Sequence, residues 1–263
     1  MQHSQDHGVL AYSAVRGDSG GMNNPRIAVV TGASSGIGRA VAARLAADGF
    51  TVIAAARRTD RLDTLAAELA DKPGTVEPCA LDVTDRDAVR DAVDRIVSRH
   101  GHIDVLVANA GVMPLSRLDA GLVDEWDRMI DVNIRGLLYG IHAVLPHFTR
   151  QQRGHVVTVA SVGAHEVVAT GAVYCGTKHA AWAITEGLRL ESPPWLKVTT
   201  ISPGVVESEL ADTISDPVAR DAMVDYRRDA IGPEAIAGAV AYSVGTAADV
   251  DVNEIVIRPT RQR

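Results

Sequence analysis

Tyr174, Cys175, Gly176, Thr177 and Lys178 follow one another in the chain, which sets a phenol and an ammonium four residues apart. On a helix, side chains at that spacing share a face. A tyrosine of ordinary pKa, about 10, is a poor proton carrier at neutral pH, whereas a lysine cation beside it favours the phenolate and is expected to draw it into working range. Taken alone, the pair is common by chance and usually lies on a surface. Ser161 makes it more specific. It follows the apolar run 155–159 and so falls at the carboxyl end of an expected strand, where open α/β sheets bind their ligands. A hydroxyl donor, a phenol and a cation together are what proton transfer to or from a carbonyl or alcohol oxygen requires.

A second cluster lies upstream. Thr31-Gly32-Ala33-Ser34-Ser35-Gly36-Ile37-Gly38 joins an expected strand over 27–31 to an expected helix over 39–47. At such a junction free backbone N–H groups and the helix dipole favour a pyrophosphate, and a Cβ on the turn would block both its course and the approach of a ligand. Gly32, Ser34, Ser35, Gly36, Ile37 and Gly38 are therefore candidate dinucleotide-binding residues. No Lys-Ser or Lys-Thr pair follows the glycines, which excludes a P-loop. Folds that select NAD usually end the second strand on an acidic residue, but here it runs through Ala55 and Ala56 into Arg57 and Arg58. Guanidinium groups at that place attract a 2′-phosphate where a carboxylate would repel it, so the expected cofactor is NADP(H). The alternative is a solvated arginine pair.

These groups need a sheet to hold them. From Arg26 onward short β-branched runs alternate with longer helical stretches. Strands are expected over 27–31, 51–55, 76–81, 103–108, 155–159, 197–201 and 255–257, and helices over 39–47, 61–70, 85–100, 126–145, 174–190 and 233–244. Thr84 is placed to cap the third helix. This order predicts an α/β, Rossmann-type doubly wound parallel sheet of about seven strands with helices on both faces.

Composition narrows the partners. The 263 residues hold 26 Lys+Arg against 33 Asp+Glu, a net charge of −7, so neither nucleic acid nor an anionic membrane is expected to bind. Hydrophobic residues make up 46% but aromatic ones only 4%, so the core must be built from Ala, Val, Ile and Leu, as in helices packed on a buried parallel sheet. No run reaches the ~18 apolar residues of a membrane span. The two cysteines, Cys79 and Cys175, form no disulfide framework and point to a reducing, cytoplasmic setting. Residues 1–24 are polar, lack the order of a signal peptide, and are expected to be a flexible tail ahead of one domain over 25–263.

From about Arg26 to Thr260 these ordered motifs resemble the short-chain dehydrogenase/reductase family in its compact single-domain form. The segment from Thr31 to Gly38 is similar to the family's cofactor turn, Asp82-Val83 to its adenine-contacting pair, and Asn109-Ala110-Gly111 to its strand-stabilising motif. Asn133, Ser161, Tyr174 and Lys178 match its catalytic tetrad. Pro203-Gly204 resembles the segment that closes over the nicotinamide, and Ser208 stands where the family often has threonine. The resemblance implies hydride transfer between NADP(H) and a small-molecule carbonyl or alcohol. Ser161 would polarise the oxygen and Tyr174 carry the proton, while Lys178 contacts the nicotinamide ribose and tunes Tyr174. Asn133 would hold a water that relays protons to solvent. Pairing of long helices into homodimers or homotetramers is implied as well. The same residues serve oxidation of a secondary alcohol or hydroxy acid, so the direction stays open. A non-catalytic NADP(H) sensor would have no need of the Ser–Tyr–Lys set.

The substrate pocket is expected from the loop after Ser161 and from residues 205–226. Val167, Val168, Leu210, Ile214 and Met223 make it apolar if they point inward, and are ordinary core otherwise. His165 and Glu166 either touch substrate or belong to an exposed loop. Cys175 points about 100° away from Tyr174 round the helix and is expected to pack. No pair among the nine histidines has partners at zinc-ligand spacing, so no metal is expected.

Overall fold

Uninterrupted apolar runs make strands that are buried on both faces, and the computed structural model, which describes residues 25–262, shows this at its centre. Strands β1 (Ile27–Thr31), β2 (Thr51–Ala56), β3 (Thr75–Ala80), β4 (Val105–Ala108), β5 (Gly154–Val159), β6 (Leu196–Pro203) and β7 (Glu254–Ile257) form one parallel sheet in the order β3-β2-β1-β4-β5-β6-β7. The expected doubly wound sheet of seven strands is what forms. The helices between them are α1 (Gly36–Ala47), α2 (Thr59–Glu68), α3 (Arg86–His100), α4 (Val123–Ile130), α5 (Gly136–Gln151), α6 (Ala172–Glu191), α7 (Pro217–Tyr226) and α8 (Pro233–Gly245).

Strand alternation divides the core in two. Ala28 and Val30 of β1 pack with Val41 and Leu45 of α1 and Ile236 and Val240 of α8. Ile27 and Val29 pack on the other face, with Val93 and Ile96 of α3 and Ile141, Val144 and Phe148 of α5. The connection after β1 therefore leaves toward one face and the connection after β4 toward the other. Because β1 and β4 are neighbours, with Val30 opposite Val107, their divergence opens a crevice at the carboxyl edge of the sheet.

Four expectations are corrected. Thr84 does not cap α3. Asp85 does, its carboxylate accepting from the Ala88 N–H at 3.0 Å, while Thr84 donates through its N–H and hydroxyl to Asp82 Oδ1. The single helix expected over 126–145 is instead α4 and α5 joined by a π-helical turn, Asp131–Arg135. The fourth strand begins at Val105 rather than 103, because Asp104 turns its carboxylate onto the Ile27 N–H at 2.7 Å. Helix α7 was not expected at all, although Asp216 caps it by accepting from Ala219 N–H at 2.8 Å and Pro217 opens its first turn. Other boundaries differ by a few residues. The expected tail over 1–24 lies outside the described residues. Among those residues no helix is long and apolar enough to cross a membrane.

Candidate active site

The floor of the crevice is the turn from β1 into α1. Gly32 and Gly36 take positive φ, +69° and +50°. A Cβ on Gly32 would come within 2.9 Å of the Ala110 Cα, and one on Gly38 would overlap the Asn109 side-chain amide and the Gly32 carbonyl. Asn109 braces this turn from β4. Its side-chain amide donates to the Thr31 carbonyl at 2.8 Å, and the Asn109 and Ala110 N–H groups donate to the Thr31 hydroxyl at 3.0 and 3.1 Å. Helix α1 starts at Gly36, earlier than expected, so the N–H groups of Gly36, Ile37 and Gly38 belong to its first turn and point into the crevice end of its dipole. Ser35 at the N-cap makes no side-chain cap, and its hydroxyl instead accepts from Arg58 at 2.8 Å.

The two arginines part company. Arg58 donates to the hydroxyls of Ser34 and Ser35 and to the Glu209 carboxylate, whereas the Arg57 guanidinium lies 3.9 Å from Asp82. Burial opposes ionisation of Asp82, but the two Thr84 hydrogen bonds and Arg57 together hold its carboxyl below the ordinary value. Along the crevice wall lie Gly32, Ser34, Ser35, Gly36, Ile37, Gly38, Arg57, Arg58, Asp82, Val83, Asn109, Ala110, Gly111 and Ser208. These are the expected cofactor residues apart from Tyr174, Lys178, Pro203 and Gly204.

Those four line an adjoining cavity together with Ser161, and Ile37, Asn109, Gly111 and Ser208 face both spaces. Ser161 follows β5, and its Oγ accepts from the Gly163 N–H at 3.0 Å, which leaves the hydroxyl proton free to donate. Tyr174 sits in the first turn of α6. Lys178 is one turn further on, with Nζ donating to the Val159 carbonyl at 3.1 Å and lying 5.9 Å from the centroid of the Tyr174 ring. Burial pushes the Tyr174 phenol up to about 12, the neighbouring Ser161 hydroxyl offsetting only part of it. Burial also brings the Lys178 ammonium down to about 8. Lys178 is not among the groups that shift the phenol, and burial dominates, so the chain's own side chains raise it; the expected lowering by Lys178 together with an oxidised nicotinamide belongs to the loaded site.

Asn133 lies in the π-helical turn, not in the cavity wall. Its Oδ1 accepts from Val112 N–H at 2.9 Å, and its amide donates to the Val112 carbonyl and the Thr177 hydroxyl, each at 3.0 Å. Both amide hydrogens are therefore engaged with protein.

Of the five expected pocket residues, Val168, Leu210 and Met223 line the cavity. Val167 is 67% exposed, and Ile214 is buried with Leu115 and Ala219. Glu166 reaches the cavity, whereas His165 turns to Ser202 and Glu254. Cys175 is buried, as expected, with its sulfur close to Gly163 and Gly171. Sequence reasoning missed Met113 and Leu115, which follow the Asn109 motif, and Arg227 just past α7, whereas Tyr226, the last residue of the expected pocket segment, lines the cavity. It also missed Glu209 and Arg61, whose opposite charges are distant in sequence and meet only through the fold. Gln262 reaches back to this region, its side-chain oxygen accepting from the Val205 N–H at 2.9 Å. Among the described residues no three His, Cys, Asp or Glu side chains are grouped to hold a metal ion. The arrangement can polarise an oxygen through Ser161 and pass it a proton from Tyr174, beside a crevice shaped for a dinucleotide.

Comparison with known proteins agrees with this geometry. An uncharacterized oxidoreductase of Staphylococcus saprophyticus is 43% identical over 246 residues, covering 92% of this chain and 99% of that protein. An alcohol dehydrogenase from the archaeon Thermococcus sibiricus, solved with 5-hydroxy-NADP, superposes with a TM-score of 0.81 at 31% identity over 90% of this chain and 98% of its own. The closed form of a serine dehydrogenase complexed with NADP+ superposes with a TM-score of 0.78 at 30% identity, over 88% and 94%. The family described as short chain dehydrogenase matches residues 26–219, from the first strand through the glycine turn and the Ser161, Tyr174 and Lys178 positions, and the chain belongs to that family.

Proposed function

We propose that the protein is an NADP(H)-dependent oxidoreductase that reduces an aldehyde or ketone to the alcohol. The observation that carries this reading is the meeting of Ser161, Tyr174 and Lys178 in an apolar cavity continuous with the glycine-turn crevice. The residues fit the cofactor. Gly32 and Gly38 leave a cradle that a Cβ would fill, the first turn of α1 offers N–H groups to the pyrophosphate, and Arg58 with Ser34 and Ser35 offers a cation and two hydroxyls to a 2′-phosphate. The NADP+ and 5-hydroxy-NADP found in similar structures support the same choice.

When bound, NADPH supplies the hydride. Ser161, whose oxygen already accepts from Gly163, donates a hydrogen bond to the carbonyl oxygen, keeping its proton, and stabilises the charge that develops there. Tyr174, whose phenol burial pushes up, then gives up its proton to that oxygen. Lys178 is anchored on Val159 and would hold the ribose next to the nicotinamide, its ammonium stabilising the phenolate that Tyr174 becomes. Asn133 fixes the backbone of Val112 and the Thr177 hydroxyl, and the second lone pair of its Oδ1 is the group left for a proton relay. The largely apolar wall, with Met113, Leu115, Val168, Leu210 and Met223, favours a hydrophobic substrate over a charged sugar.

The test is the initial rate of NADPH and NADH oxidation with a panel of apolar and polar aldehydes and ketones, with Tyr174→Phe as control. NADPH-preferring turnover on apolar members that disappears in the variant, while NADPH binding persists, is expected. Substantial turnover by Tyr174→Phe would refute the assignment.

A further inference from the structure

Glu209 opens the short helical turn Glu209–Thr213 just past Ser208, and its carboxylate is held by cations 151 and 148 residues away. Oε2 accepts from Arg58 at 2.8 Å and Oε1 accepts from Arg61. The far side of the Arg58 guanidinium donates to Ser34 and Ser35. Two guanidinium groups on one anion, with two hydroxyls beside the nearer guanidinium, make a donor set that a phosphate monoester can take, and here a side-chain carboxylate holds the two cations. The pairing pulls the Glu209 carboxyl down to about 2, through Arg61 first and Arg58 second, so it stays ionised across the working pH range. All three side chains are 43% exposed. A surface network of this kind adds little to stability and can be displaced by a stronger anion.

The turn carrying Glu209 is also a wall of the site. Ser208 and Leu210 face both the crevice and the apolar cavity, and Ser208 Cβ lies 3.2 Å from where a Cβ on Gly36 would be. We propose that Glu209 tempers the cofactor preference as an internal competitor, one that must give up Arg58 and Arg61 before a 2′-phosphate can take them. A 2′-phosphate, dianionic and richer in acceptors, displaces it. A 2′-hydroxyl has no charge with which to do so. Loading NADP(H) therefore uncouples the Ser208 turn from the end of β2, while NADH leaves the two joined. This inference rests on the NADP(H) reading above.

The experiment measures equilibrium dissociation constants for NADPH, NADH and adenosine 2′,5′-bisphosphate with the full chain and with Glu209→Gln, alongside the melting temperature of each. The wild-type ratio of NADPH to NADH affinity is read first. If NADPH has no advantage there, the cofactor reading itself fails. Given that advantage, Glu209→Gln is expected to tighten NADPH and the bisphosphate by about fivefold, the scale of one exposed ion pair, and to leave NADH unchanged. In an Arg58→Ala, Arg61→Ala background the same substitution should have no effect on NADPH. Unchanged or weaker NADPH binding in Glu209→Gln would overturn the proposal, the latter by showing that the carboxylate orients the arginines instead. Equal tightening of NADPH and NADH would overturn it too, by pointing to a general effect of the turn.

Discussion

The Asn133 side-chain amide donates to the Thr177 hydroxyl at 3.0 Å, and that hydroxyl donates to the Tyr174 carbonyl at 2.7 Å. The π-helical turn is thereby tied to the first turn of α6, so the backbone that carries the phenol is fixed. Removing the amide leaves the Val112 N–H and carbonyl and the Thr177 hydroxyl without their partner. Asn133→Ala is expected to cost about 1–3 kcal/mol of stability and to lower kcat while NADPH affinity holds. Urea unfolding and steady-state kinetics check both, and an unaltered kcat in a destabilised variant would reduce Asn133 to a purely structural part.

Arg58, not Arg57, should dominate recognition of the 2′-phosphate, because it alone of the two reaches Ser34 and Ser35. Arg58→Ala is expected to weaken NADPH by about tenfold or more, ~1.4 kcal/mol, with NADH little affected. Arg57→Ala should do less, since its guanidinium is 62% exposed and leans to Asp82. Titration of both variants with both cofactors decides the order.

Gly38→Ala pushes a methyl into the Asn109 amide and the Gly32 carbonyl, two groups that cannot both retreat without loosening the turn from β4. Overpacking of this kind costs roughly 1–3 kcal/mol. The variant should melt several degrees lower and lose dinucleotide binding, while Gly176→Ala, where a Cβ meets nothing within 4 Å, should keep both.

His155 sets an acid limit on stability. It is buried on β5, an interior strand of the sheet, its Nε2 is 2.8 Å from the Thr199 hydroxyl, and among the described residues its Nδ1 has no partner. Burial first, then Lys197 and Arg26, bring it down from 6.5 to about 3. Between those values the unfolded chain binds a proton that the native state refuses, so stability present above pH 6.5 falls as pH drops, by ~1.4 kcal/mol per unit. Urea unfolding at pH 7 and at pH 5 should show this slope in the wild type and a flatter one in His155→Gln. Parallel slopes would assign the acid sensitivity to other groups.

Most of the architecture was legible because its signals are local. Apolar runs such as 27–31 and 155–159 gave strands nearly to the residue, and the glycines of the first turn had no other physical use. What escaped depended on contacts between distant segments. A continuous helical pattern cannot reveal that the Asn133 amide bonds Val112 and opens a π-helical turn. The charges at Arg61 and Glu209 read separately as solvated surface, and only the close approach of the Ser208 turn to α1 joins them. The burial of Tyr174 escaped for a related reason. Spacing on a helix brings Lys178 near, but the depth of burial that governs the phenol belongs to the assembled cavity.

The brace between Thr31 and Asn109 spans 78 residues and has a consequence for how the chain matures. The buttress of the glycine turn exists only where β4 lies beside β1, so binding competence depends on a non-local contact and is not a property of the N-terminal βαβ segment alone. A fragment ending before β4 would carry every glycine of the turn and still lack its buttress. In the intact chain, conversely, saturating dinucleotide should selectively stabilise molecules that have completed this docking, so that the ligand acts as a reporter of finished assembly and a brake on its reversal.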